Sequence, residues 1–381
     1  MFFAIDASSA AKQKRTGADW YSYHLIQALK SQTLESDDRV CLYSPSALQE
    51  ELAVLPPQWE TRVLHWPFST GWMQGRMSWE MLRRSPNILF VPTQSFPRIH
   101  PHTLSKQRAT VTTIHDIAFH RFPDLYDPIE RKHQEKEVRF AIKHAEILLT
   151  PSEWTKKELA DAYGVPLEQM VVTPLSHDVT HYHPLESTVV EEVLQKYRLS
   201  RKNYFLSIGR LERKKNIPLL IRAFEIFKRS RGTGDPFELV LIGMSGFGFE
   251  EIHQAVDCSP FKESIRPLGW VEEVDIPALM NGTFAYVFPS RYEGFGISNV
   301  EAMACGIPLL TSDIPAHREV VRDAGLFLSP DEPETWASGF QRITSDQGLI
   351  EDLVQKGIVR AQSFSWQTTA RKTWDVLKGL V

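Results

Sequence analysis

Two carboxylates and three glycines share one segment, Ser290-Arg291-Tyr292-Glu293-Gly294-Phe295-Gly296-Ile297-Ser298-Asn299-Val300-Glu301-Ala302-Met303-Ala304-Cys305-Gly306. Glu293 and Glu301 are separated by seven residues. Gly294 and Gly296 remove side chains where a loop turns into a helix, so free backbone N–H groups at that helix start can approach a phosphate or sugar oxygen. Glu301, in the first helical turn, can accept hydrogen bonds from both hydroxyls of a ribose diol, while Glu293 reaches from the loop toward another hydroxylated group. Ser298-Asn299-Val300-Glu301 also fits a capping box, in which Glu301 only bonds back to the Ser298 amide. The two glutamates also have the types needed for a glycosidase acid and base, although the ribose geometry of Glu301 weighs against that reading.

A second constellation is Ser207-Ile208-Gly209-Arg210-Leu211-Glu212-Arg213-Lys214-Lys215-Asn216. Arg210 and Lys215 on opposite sides of one loop would give one planar and one pointlike cation, a combination suited to a diphosphate leaving group and able to do a metal ion's work. A solvated basic loop is the commoner fate of such a run. Its position just past a strand end, in the same half of the chain as the glycine pair, favours binding.

The first half offers fewer signals. Gly17, in Lys14-Arg15-Thr16-Gly17-Ala18-Asp19-Trp20, could let helix-start amides meet an oxyanion, or could mark a plain strand-to-helix turn. His115 and Asp116 end another apolar run, where the imidazole could orient a sugar hydroxyl or be satisfied within the core. Eleven of the 13 histidines precede residue 186. Among them His177, His181 and His183 surround Asp178 without a recognised metal-ligand spacing, so a polar linker is the default reading and no metal site is assigned. There is no Gly-x4-Gly-Lys-Ser/Thr sequence, and no Gly-x-Gly-x-x-Gly after the first strand, which argues against an ATPase and a simple dehydrogenase.

The elements that must position these residues are short β-branched or aromatic runs: Phe2 to Asp6, Arg39 to Tyr43, Arg62 to Trp66, Asn87 to Pro92, Thr110 to Asp116, Glu146 to Pro151 and Val171 to Pro174. They continue with Tyr204 to Arg210, Phe237 to Gly243, Ile265 to Val271, Phe284 to Ser290, Pro308 to Asp313 and Leu326 to Pro330. Between many of them lie stretches with helical spacing, such as Trp20 to Lys30, Glu130 to His144, Glu153 to Tyr163, Ile217 to Phe227 and Trp336 to Ile343. This alternation predicts an α/β protein with doubly wound parallel sheets. The rhythm lapses around His177 to Pro184, so the expected organisation is a first domain over 1–185, a second over 186–364 and an amphipathic C-terminal helix over 365–381.

The 381 residues suffice for two domains with their own cores. Forty-three Lys+Arg against 47 Asp+Glu leave a formal charge of −4, which gives no electrostatic support to nucleic-acid binding. Cys41, Cys258 and Cys305 are too few and too distant for a disulfide framework or a zinc ribbon, so a reducing cytoplasm is expected. The opening Met1-Phe2-Phe3-Ala4-Ile5-Asp6 lacks a basic leader and reads as a buried strand. No apolar window reaches the ~18–20 residues of a membrane span, so membrane contact, if made, is peripheral and on the inner face.

At these residues the chain resembles the family-4 retaining glycosyltransferases, and the likeness is strongest from Tyr204 to Pro330. The Glu-x7-Glu pattern of that family matches Glu293 and Glu301, and its Gly-Arg-x4-Lys element matches Gly209, Arg210 and Lys215. The resemblance implies the GT-B fold, with two Rossmann-like domains facing a cleft and a C-terminal crossover helix that packs back on the first domain. It implies donor binding by Gly209, Arg210, Lys215, Glu293, Gly294, Phe295, Gly296 and Glu301, with Trp270 and Val271 edging the nucleobase. It places His115 near the transferred sugar, and Gly17, Asp116 and Ser152 on the acceptor side. The implied chemistry is transfer of a hexose from a nucleotide-diphosphate sugar, GDP-mannose being favoured, to a glycan or lipid-linked acceptor, with retained anomeric configuration and no required metal or other cofactor. A nucleotide-sugar epimerase or hydrolase, and a non-catalytic nucleotide-sugar-binding protein, are the competing classes. Pro174-Leu175-Ser176-His177-Asp178 departs from the family's usual Pro-Asn-Gly-Val-Asp, and the first loop has one glycine where two are frequent.

Overall fold

Buried parallel strands read as continuous apolar runs because helices cover both faces of the sheet. Among the described residues thirteen strands form, twelve of them over the expected runs. The structure, a computed structural model, describes residues 1–68 and 70–380, so Val381, the last residue of the expected 365–381 segment, lies outside it. The first seven strands are β1 (Phe2–Asp6), β2 (Arg39–Ser44), β3 (Trp59–Val63), β4 (Ile88–Val91), β5 (Ala109–Thr113), β6 (Ile147–Thr150) and β7 (Met170–Val172). They pair in the order β3-β2-β1-β4-β5-β6-β7, all parallel. The second six are β8 (Tyr204–Ile208), β9 (Glu238–Ile242), β10 (Ile265–Gly269), β11 (Ala285–Phe288), β12 (Leu309–Ser312) and β13 (Leu326–Leu328), in the parallel order β10-β9-β8-β11-β12-β13.

The displaced strand is β3, which starts three residues before the expected Arg62 to Trp66 run. Trp59 is buried and pairs with Val40, which sets the register, and as an edge strand β3 accepts exposed Glu60 and Thr61 without a long apolar stretch. Both sheets are doubly wound, so the chain is the α/β protein that the alternation predicted.

One compact unit contains Met1–His120, Ile129–Ser176 and the segment from Ser365 onward; the other contains Arg121–Pro128 and His177–Phe364. The expected boundary at 185/186 thus falls inside the second unit. The C-terminal helix Trp366–Gly379 packs on the first unit, with Trp374 against Phe3 at 4.7 Å between ring centroids and Trp366 stacked on His24 at 5.5 Å. In the second unit Phe205, Phe224, Phe227, Phe237, Trp336 and Phe340 fill the core beneath β8 and β9. The Phe205 and Phe340 rings lie 4.4 Å apart. Burying aromatic area of this kind is the main reason the strand ends, and the loops they carry, hold fixed positions.

Candidate functional site

Each sheet reverses its strand order once, between β1 and β4 and between β8 and β11, and in parallel sheets ligands bind beyond the carboxyl ends of the strands at such a point. In the second unit, pairing of Phe205 with Ala285 and Leu206 with Tyr286 brings the loops after β8 and β11 out on one edge. These are the two constellations singled out from the sequence.

Backbone contacts stitch that edge together. Buried Asn216 donates through Nδ2 to Pro289 O at 3.1 Å and Pro330 O at 2.8 Å, and the Arg291 amide donates to Lys214 O at 3.0 Å. On the other side, the Gly209 amide donates to Ile242 O and the Gly243 amide to Gly269 O, both at 2.9 Å. Gly243 has φ +147°, and a Cβ there would come within 1.9 Å of Gly209 O, so no side chain fits between these loops.

Lys215 Nζ lies 2.6 Å from Glu293 Oε1, and the two side chains are only 17% and 10% exposed. Burial alone would raise the Glu293 pKa, but the Lys215 ammonium, with help from Lys214, outweighs it and holds the carboxyl at about 2. The lysine stem runs along Gly209, where an added Cβ would meet Cε at 3.4 Å. Arg210 takes a different course: its side chain is 55% exposed, runs beside Gly246, and has Glu212 Oε2 at 3.8 Å from Nε. The site therefore combines one half-buried, paired cation with one exposed one.

Gly294, Phe295 and Gly296 are buried at the start of helix Ile297–Ala304, and the Phe295 ring packs edge-on against Phe364. Gly296 is the N-cap, with φ +87° and no side-chain cap, so the first N–H groups of the helix are not taken by a capping side chain. The capping-box reading fails because Ser298 lies inside the helix. Glu301 accordingly sits in the second turn and not, as expected, in the first. Burial and the nearby Glu273 charge push its pKa up to about 8, against a Ser298 hydrogen bond that lowers it. Tyr182 donates its hydroxyl to Glu273 Oε1 at 2.9 Å. Trp270, half-buried, and Val271, buried, follow β10 on the same edge.

Three groups on this edge were not found from sequence. His317 and Asn299 are fully buried, and His317 Nε2 and both polar atoms of the Asn299 amide meet no hydrogen-bond partner among the described residues. The same holds for Ser290 Oγ. A Cβ on Gly296 would lie 3.1 Å from both Asn299 Nδ2 and His317 Nε2, so both side chains converge on that glycine. Asn299 was visible only as filler in a capping pattern, and His317 stands in a helix, Pro315–Val321, that the sequence reading did not identify.

In the first unit Gly17 is the first residue of helix Gly17–Leu29, exposed, with open space where a Cβ would project. Before it, the Thr16 amide and hydroxyl donate to Asp19 Oδ2 at 3.1 and 3.0 Å. Lys12 Nζ lies 2.8 Å from Asp19 Oδ1. His115, just past β5, donates from Nε2 to Pro92 O at 3.1 Å, since a carbonyl only accepts, and burial lowers its pKa. Asp116 Oδ1 accepts from the Ala118 amide at 3.0 Å. Ser152 is the N-cap of helix Glu153–Tyr163, accepting from the Thr155 amide at 3.0 Å, and the Thr155 hydroxyl reaches His115 O at 3.5 Å. Asp6, at the end of β1, was not singled out; burial pushes its pKa up to about 6 although the Ser8 amide donates to it.

His181 Nδ1 lies 3.0 Å from Asp178 Oδ2 and His183 Nδ1 3.0 Å from its neighbour's carbonyl at Pro184. Among the described residues no three His, Cys, Asp or Glu side chains gather in a way that could hold a metal ion. No described helix is long and apolar enough to cross a membrane.

Residues 189–360 match the family model for glycosyl transferases group 1, and residues 15–181 match that for glycosyltransferase family 4. The O-antigen chain mannosyltransferase B of Escherichia coli is 32% identical over 278 residues, which is 73% of this chain and 71% of that protein. The O-antigen chain mannosyltransferase RfbU of Salmonella typhimurium is 28% identical over 64% of this chain and 63% of its own length. Among solved structures, Anabaena HepE in complex with UDP and glucose superposes with a TM-score of 0.77 at 17% identity, covering 99% of both chains. That likeness identifies the fold, two Rossmann-like domains of the GT-B type.

Proposed function

The chain belongs to the glycosyltransferases of group 1 and family 4, and we propose that it moves a hexose from a nucleotide-diphosphate sugar to an acceptor hydroxyl with retained configuration, without requiring a metal. The observation that carries this reading is the half-buried Lys215–Glu293 pair beside the helix start at Gly296, which no side chain caps. As the bond from the sugar's anomeric carbon to the diphosphate oxygen breaks, its electron pair stays on the diphosphate, the acceptor oxygen bonds to the anomeric carbon, and the acceptor's hydroxyl proton passes to the departing diphosphate. Lys215, Arg210 and the helix-start amides would stabilise that charge. Glu293 would accept from sugar hydroxyls and Glu301 from the ribose diol, with Trp270 and Val271 at the base. Gly17, His115, Asp116 and Ser152 of the first unit would serve the acceptor.

The two O-antigen chain mannosyltransferase relatives support mannose as the hexose and a glycan acceptor; in this reading GDP-mannose is the co-substrate and the acceptor is a glycan or lipid-linked one of surface polysaccharide synthesis. The UDP and glucose in the HepE complex support a nucleotide sugar more broadly. Retention rests on the likeness of the Glu293/Glu301 spacing to the family pattern. A cytoplasmic enzyme with peripheral contact on the inner membrane face would have access to both substrates.

The test is a thermal-shift screen of UDP, GDP, ADP and TDP sugars followed by product analysis. A saturating donor at 100 times its Kd stabilises by about 2.7 kcal/mol, and GDP-mannose is expected to give the largest shift and an acceptor-dependent product. Absence of any shift would refute the reading. Release of free or isomerised sugar without an acceptor would replace it with a hydrolase or epimerase.

A further inference from the structure

Asn299 and His317 are fully buried, yet three of their polar atoms have no partner among the described residues, and both side chains lie over Gly296. A buried donor or acceptor left unpaired is costly, so side chains kept in that state beside a binding edge need an explanation. The protonation state of His317 follows from its other nitrogen. Nδ1 is 3.1 Å from Ser312 O, which can only accept, and 2.8 Å from Thr311 Oγ1, which can accept as well; assigning the proton to Nδ1 serves both contacts and leaves Nε2 a lone pair. Burial holds the ring's pKa down at about 4 despite the opposing field of Glu293, so this tautomer is neutral across the physiological range. The fields of both Glu293 and Lys215 act on the imidazole, and its ring lies 5.2 Å from that of Phe288, over which Lys215 Nζ also sits at 4.9 Å.

An acceptor nitrogen and a carboxamide with donor and acceptor atoms, set side by side next to the ion pair, match a hydroxyl group, which needs one partner of each kind. A phosphate oxygen offers only acceptors and would repel the His317 lone pair. We propose that His317 and Asn299 form the inner wall of the hexose subsite, with His317 Nε2 accepting from one sugar hydroxyl and the Asn299 amide donating to the same oxygen. This deepens the nucleotide-sugar reading and rests on it. It also gives the Gly296 position a second duty: a side chain there would press on both groups at 3.1 Å.

The experiment compares Kd for GDP and GDP-mannose, and for UDP and UDP-glucose, in the wild-type chain and in His317→Phe, His317→Gln and Asn299→Ala, with melting curves for each. His317→Phe is expected to weaken the sugar nucleotide about tenfold, the size of one lost hydrogen bond, while the matching diphosphate changes less than twofold. His317→Gln, which can return an acceptor oxygen, is expected to recover part of the loss. Equal weakening of diphosphate and sugar nucleotide, or no weakening of either, overturns the subsite and leaves these side chains to a trapped water. If His317→Phe does not fold, the same comparison on Asn299→Ala decides. A wild-type chain that binds none of the four ligands, and none of the ADP and TDP sugars either, would refute the glycosyl-donor reading itself, and the subsite with it.

Discussion

The two units share a strand order and differ in what their helix starts hold. At Gly17 the chain builds a capping box: Asp19 takes the Thr16 amide and hydroxyl, and Lys12 lies against Asp19. At Gly296 no side chain caps the helix, and the nearest loop carboxylate, Glu293, is held by Lys215. On the first unit's edge burial pushes Asp6 up to about 6 and lowers the pKa of His115. The second unit's edge pushes its two glutamates apart, Glu293 to about 2 and Glu301 to about 8. The fold fixes where loops emerge, and the loop side chains decide whether an edge receives an anion or a neutral hydroxyl-bearing group.

The largest test of that contrast is Lys215→Ala. It is expected to lower turnover about 10²-fold or more, the usual cost of losing a donor to transition-state charge, whereas Lys12→Ala in the first unit leaves turnover within a few-fold in the same steady-state assay. Near-normal activity of Lys215→Ala would erase the distinction.

Gly243→Ala should come next, in stability. The clash with Gly209 O requires the β8 and β9 loops to separate, at a cost of roughly 2 kcal/mol or more, read as a lower denaturation midpoint together with weaker diphosphate binding.

Glu301→Gln probes the raised carboxyl. In the wild-type chain a folded-state pKa near 8 means that the stability associated with the protonated group is complete below pH 4.5 and declines as pH rises toward 8. The glutamine variant should lack that decline, melting several degrees higher than wild type at pH 9 and nearly level with it at pH 4. It should also bind nucleotide more weakly, because a carboxylate that grips a diol must first lose its proton. By the same reasoning wild-type affinity should tighten as pH rises through about 8. The Glu293 contribution has the opposite sign, present above pH 4.5 and lost as pH falls toward 2. The smallest effect is expected for Gly17→Ala: with space for the methyl and an ordinary φ, it should raise stability by about 0.4–1 kcal/mol and leave donor binding unchanged by calorimetry.

Much of this architecture was legible because strands buried on both faces have little choice of residue, as in Leu239-Val240-Leu241-Ile242 or Ala285-Tyr286-Val287-Phe288. Edge strand β3 escaped because exposed Glu60 and Thr61 interrupt its apolar pattern. Helices Phe249–Asp257 and Gln347–Ala361 were not identified, their apolar positions being interspersed with charges. Within the site, Glu293, Lys215 and the glycines stood out by type and spacing. The start of their helix did not: Ser298 resembled an N-cap, but Gly296 at positive φ takes that place and moves Glu301 one turn onward.

Local sequence determined the strands, the turn glycines and the residue types available at each strand end, since these depend on side-chain shape and on neighbours a few positions away. Tertiary structure decided the pairings: Lys215 meets Glu293 across 78 positions, and His317 reaches Gly296 from another helix. Those contacts, and the burial that moves Glu293 and Glu301 in opposite directions, exist only once β8 and β11 lie side by side, because solvent exclusion and charge proximity are properties of the packed edge and of no single segment.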